Sequence, residues 1–99
     1  NKFAPIKHIL KNQPDDDQKT ILANSDVVLP AFGTVKRGFF VIIKSVKGSG
    51  AINITAAGNK SLDSYSQVNL NAKFASVKVI RGSNKWYITH QHGDIEGIE

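Results

Sequence analysis

Cysteine and methionine are both missing from the 99 residues. Without cysteine there is no disulfide framework and no thiolate zinc site, and the redox compartment stays open. No apolar run approaches the ~18 residues a membrane-spanning helix needs, and nothing resembles a signal peptide. The chain opens on Asn1 rather than Met, which suggests a segment of something longer. Catalytic signatures are missing too. There is no Gly-x-Ser-x-Gly elbow and no phosphate-binding Gly loop ahead of a helix. A paired-carboxylate glycosidase needs two placed acids, and the body of the chain offers only Asp63. His8, His90 and His92 could act as bases, with Asp63 or Asp94 as orienter, but neither a serine elbow nor a cysteine accompanies them. The sequence therefore predicts a protein that is not an enzyme.

Acid is scarce in the middle of the chain. From Val27 to His90, nine basic residues face one acid, Asp63, which leaves that stretch at +8 within an overall formal charge of +5. Such a body could attract nucleic acid, an anionic membrane or acidic polysaccharide. The lysines do not cluster in sequence, so a solvated β surface with blunted edges accounts for them more simply.

What is abundant is Val, Ile, Thr, Ser, Asn and Gly, in short runs of period two. Phe39, Val41 and Ile43 fall on one face of a strand and Phe40 and Ile42 on the other, so this strand should be central and covered on both sides. After Gly48-Ser49-Gly50, Ile52 and Ile54 alternate with Asn53 and Thr55, and the two runs read as a hairpin. A second hairpin is expected where Gly82-Ser83-Asn84 joins Ala75–Arg81 to Lys85–Thr89. Further strands are expected at Lys19–Ala23, at Val27–Leu29 (stopped by Pro30) and at Gln67–Leu70, with Leu62 returning to the core. Phe3, Ile6, Ile9 and Leu10 allow a short helix or an edge strand, and Asn12–Asp17 reads as a solvated loop without the glycine and terminal glutamate of a calcium loop. The resulting expectation is an all-β fold, a small antiparallel β-sandwich of jelly-roll-like type. Residues 1–18 would be an N-terminal arm or linker, 19–92 the sandwich domain and 93–99 a C-terminal tail. If a core this thin cannot hide Phe32, Phe40, Tyr65, Phe74 and Tyr87 together, some of them should be buried between chains.

The order of segments carries a resemblance. Val27-Val28-Leu29-Pro30-Ala31 is followed by Gly38-Phe39-Phe40-Val41-Ile42, then by Ile52-Asn53-Ile54-Thr55-Ala56-Ala57-Gly58 and Leu62-Asp63. Ser76-Val77-Lys78-Val79-Ile80 and Gly82-Ser83-Asn84-Lys85-Trp86-Tyr87-Ile88 close the series. Over residues 20–89 this resembles the small C-terminal β-domains of phage and virus tail-fibre or virion structural (receptor-binding) proteins. Ser64 stands where such domains often carry Gly, and the first 18 residues have no counterpart. The resemblance implies a homotrimer in the virion, in a tail fibre or on the capsid surface. It also implies attachment to a host cell-surface glycan or protein, or a purely structural, trimerising role. It does not imply membrane insertion.

Asn59, Lys60, Asp63, Tyr65 and Asn84 are the candidate receptor- or glycan-binding residues, because they flank expected turns and can hydrogen-bond hydroxyls. His90-Gln91-His92 is the one metal-like motif. At strand period both imidazoles point the same way, and a threefold axis would gather six of them around a transition metal; fibre tips of some phages resemble this in carrying such pairs. As exposed polar residues ending a strand, the two histidines need no metal. The alternative from another class is a single-stranded nucleic-acid-binding β-barrel, with Phe39, Phe40, Phe74, Trp86 and Tyr87 as a stacking platform. Alternation assigns most of these rings to the core, which makes nucleic acid the less favoured partner.

Overall fold

The computed structural model describes residues 6–8 and 19–99. The described residues form nine strands and two short 3-10 turns. The strands are β1 Ile6–His8, β2 Lys19–Ala23, β3 Val27–Leu29, β4 Phe40–Ser45, β5 Ile52–Ala56, β6 Gln67–Leu70, β7 Ser76–Arg81, β8 Trp86–His92 and β9 Ile95–Ile98. One sheet has the order β1-β2-β4-β7-β8 and the other β3-β5-β6-β9. The loop expected over Asn12–Asp17 lies outside the described residues, as does the helix-or-strand question for Phe3, Ile9 and Leu10.

The alternation read in the sequence is what makes two packed sheets. Ile21, Val41, Ile43, Val77 and Val79 line the inner face of the first sheet, while Val27, Leu29, Ile52, Ile54, Val68 and Leu70 line that of the second. All of these are buried. Trp86 is fully buried and closes one side of the core, with the rings of Phe32 and Phe39 set edge-on to its indole at centroid distances of 6.2 and 6.0 Å. Leu62 bridges to Trp86 and is buried beneath it, as the sequence predicts.

Three expectations need correction. The Phe39–Ala56 stretch is not a hairpin. β4 and β5 belong to different sheets, and Gly48-Ser49-Gly50 carries the chain across the core as an arch. Gly50, at φ +85, supplies a backbone turn that favours glycine. Arches of this kind also overturn the purely antiparallel, jelly-roll-like arrangement. From β2 to β5 the chain changes sheet at every strand, so each strand reverses its predecessor but runs the same way as the strand two before it. β2 and β4 are therefore parallel, as are β3 and β5. β1 also pairs with β2 in parallel. The β4–β7, β7–β8, β5–β6 and β6–β9 pairs are antiparallel, so both sheets are mixed. Finally, the segment 93–99, expected as a tail, supplies β9, whose Ile95 and Glu96 pair with Leu70 and Asn69.

β4 does sit in the middle of its sheet, between β2 and β7, but it is not covered on both sides: the outward Phe40, Ile42 and Lys44 are only half-buried. The β7–β8 hairpin forms as expected, its turn closed by the Gly82 amide donating to the Lys85 carbonyl at 2.9 Å.

Candidate functional site

The β5–β6 connection builds a cleft. Ala57–Asn59 forms a 3-10 turn in which Gly58 and Asn59 are both left-handed, at φ 72 and 59. Asn and Gly are the residues that adopt this conformation most cheaply, so the turn is a direct consequence of the Gly58-Asn59 pair. The chain then returns along Lys60 and Ser61 and reverses again at Leu62–Tyr65, where the amides of Leu62 and Tyr65 each donate to the other's carbonyl, at 2.8 and 2.9 Å. Between these two reversals and the end of β9 lies a cleft of about 470 Å³. Asn59, Lys60 and Tyr65 line it, joined by the hydroxyls of Thr55, Ser61, Ser64 and Ser66 and by Glu99.

Three of the five residues singled out in the sequence thus meet in one place. Asp63 does not. Its amide donates to the Trp86 carbonyl at 2.8 Å, and its Oδ1 accepts the Ile88 amide at 3.1 Å, so the carboxylate is a clamp on the start of β8. Asn84 is an exposed turn residue of the β7–β8 hairpin and is not part of the cleft. The four hydroxyls and Glu99 were missed. Ser61, Ser64 and Ser66 have no common period in the loop, and only the double reversal turns them to a shared space, while Glu99 is brought in by β9.

An aromatic ring edged by several hydroxyls, an amide and a carboxylate is suited to a polyhydroxylated ligand; Lys60 lines the cleft while its ammonium lies over the Phe32 ring, 4.7 Å from the centroid. The ring can stack on a C–H face while neighbouring groups donate and accept hydrogen bonds. Nothing in the cleft forms a nucleophile–base–orienter chain.

The two histidines occupy a different place. A bulge between Lys78 and Val79 leaves Thr89 as the extra residue on β8, since Val79 pairs with Ile88 and Lys78 with His90. Strict alternation from buried Trp86 would turn His90 and His92 toward the core; the bulge turns both outward. They edge a shallow hollow of about 280 Å³ together with Ile42, Ser76 and Lys78. Among the described residues no group of three His, Asp or Glu is placed to hold a metal. A threefold assembly of the pair would also bring three Lys78 ammoniums to the same face, which opposes a bound cation.

No family model matches the chain, and no curated protein matches it significantly.

Proposed function

We propose that this chain is a non-enzymatic attachment domain of a viral fibre or virion-surface protein, acting as a homotrimer and holding a host-surface glycan in the cleft between the β5–β6 connection and β9. The observation that carries this reading is the convergence of Asn59, Lys60 and Tyr65 with Ser61, Ser64 and Ser66 on one cleft of about 470 Å³. Loops held by a sheet scaffold are the usual place for recognition. The viral setting and the trimer rest on the order of strands and turns over residues 20–89.

A glycan array probed with the purified chain tests the cleft. Specific binding that is lost in Lys60→Ala and Ser64→Ala supports the assignment. An array without hits, or hits unaffected by both substitutions, overturns it and leaves a structural virion module. Light scattering coupled to size exclusion tests the assembly separately: a threefold mass is expected, and a monomer at high concentration would remove the fibre reading.

A further inference from the structure

The two outer faces of the sandwich differ in chemistry. On the β3-β5-β6-β9 sheet, the outward positions include Asn53, Asn69, Gln67 and Glu96, amides and an acid. On the other sheet, β4, β7 and β8 present Phe40, Ile80 and Tyr87 in one cross-strand row and Ile42, Lys78 and His90 in the next. Lys44, Ser76 and His92 form a third row, and no outward position of β2, β4, β7 or β8 is acidic among the described residues.

Each exposed or half-exposed ring on this side carries a lysine. The Lys78 ammonium lies 4.2 Å from the Phe40 centroid and that of Lys85 lies 5.8 Å from Tyr87. Phe74, in the turn leading into β7, has two, Lys73 at 5.1 Å and Lys44 at 5.4 Å. Phe74 is also the most conspicuous strained residue. Its backbone is left-handed at φ 70, a conformation a bulky side chain adopts only under constraint, and its ring is 52% exposed. The constraint is visible: the Phe74 amide donates to the Ser45 carbonyl at 2.7 Å, and the Ser45 amide donates to the Ala75 carbonyl at 2.9 Å. Folding gains little from a ring so exposed, at a position glycine would occupy more easily. A half-exposed ring on a strained backbone points to a contact outside the fold.

We infer that this face is a binding surface for single-stranded nucleic acid, with Phe40, Phe74 and Tyr87 as stacking platforms for bases and Lys44, Lys73, Lys78 and Lys85 as phosphate partners. Charge complementarity selects the occupant. A second copy docked face to face would bring lysines against lysines. A neutral sugar would find few amides and no carboxylate on this side; those groups lie on the other sheet. A duplex cannot offer its bases to rings on an open sheet, whereas an unpaired strand can. Phe40 and Tyr87 are two strands apart, about 10 Å, within the reach of neighbouring nucleotides on an extended strand. The lysines that now cap the rings need only swing aside to meet the phosphates. The sequence argued against this partner because alternation was expected to bury most of the aromatics. The structure buries Phe39 and Trp86 and turns Phe40, Phe74 and Tyr87 outward.

The test is fluorescence anisotropy with a short labelled oligodeoxythymidine at a series of NaCl concentrations. Four phosphate partners predict a log–log salt slope of about −3. Phe74→Gly and Tyr87→Ala should each weaken binding by about fivefold to a hundredfold, the loss of one stacked base. Thermal melting keeps the result interpretable, because Phe74→Gly is expected to fold at least as stably as the parent. Absence of binding at low salt overturns the inference. So does binding that is unchanged in both aromatic variants, or that heparin or duplex DNA of equal charge matches in affinity, since charge alone would then be responsible.

Discussion

The ring of Tyr65 rests directly on the backbone of Gly97. A Cβ built at Gly97 would lie 2.5 Å from both Cδ1 and Cε1 of Tyr65 and 2.7 Å from Cγ. The aromatic wall of the cleft is therefore positioned by a residue that lines none of it, in the middle of the strand that pairs with Val68. Gly97→Ala should displace the ring and cost about 1–3 kcal/mol through overpacking. Glycan affinity should fall in the same variant, while oligonucleotide binding on the opposite sheet stays at the parent level. Urea unfolding together with both binding assays would check this.

Asp63 offers a second, separable prediction. Its Oδ1 accepts the Ile88 amide from a left-handed backbone, φ 54. Asp63→Ala removes the acceptor and puts alanine in that conformation, so a loss of about 1–3 kcal/mol is expected. Asp63→Asn keeps an oxygen acceptor and tolerates the backbone, and should lose less than half as much. Denaturant midpoints decide it. Glycan binding of the folded Asp63→Asn variant should be unchanged, because Asp63 lies outside the cleft.

Trp86 is the largest fully buried side chain, and its Nε1 has no hydrogen-bond partner. Trp86→Ala should cost about 3–5 kcal/mol through the cavity it leaves. Trp86→Phe leaves a smaller void and removes the unpartnered donor, so it should retain well over half of that stability. Calorimetric melting of the two variants gives the comparison, and a Trp86→Phe protein no more stable than Trp86→Ala would contradict it.

Phe74→Gly relieves a left-handed phenylalanine whose ring is half exposed. The folded state should gain about 1 kcal/mol from the release, offset in part by the greater freedom of glycine in the unfolded chain. A melting temperature equal to or above the parent's is the expected outcome. A clear decrease would show that the ring stabilises the fold.

Much of the strand content was legible because period-two burial is a local property. Lys19–Ala23, Val27–Leu29 and Gln67–Leu70 are strands at the positions where alternation put them, and Gly82-Ser83-Asn84 is the hairpin turn its residues require. The Phe39–Ala56 stretch was misread for a specific reason. A Gly-Ser-Gly connection joins two strands equally well as a hairpin within one sheet or as an arch between two. Both place Val41, Ile43, Ile52 and Ile54 against the core. Only the competition among all the strands for partners chooses between them. The cleft was half legible: Asn59, Lys60 and Tyr65 declare themselves by turn chemistry, whereas Asp63 does so too and belongs to the scaffold.

The sequence by itself determined the all-β class, the inward set of residues, the positive charge of the body and the turns that glycine and asparagine enforce. Each of these depends on a residue and its near neighbours along the chain. The tertiary structure decided which strands pair, and with them the mixed, parallel-containing sheets. It also decided that a bulge turns His90 and His92 outward beside Lys78, and that Lys44, Lys78 and the outward rings share one face while amides and Glu96 occupy the other. Lysines scattered through the sequence become neighbours only when β4, β7 and β8 are laid side by side, about 5 Å apart, because strand pairing converts distance along the chain into adjacency across it.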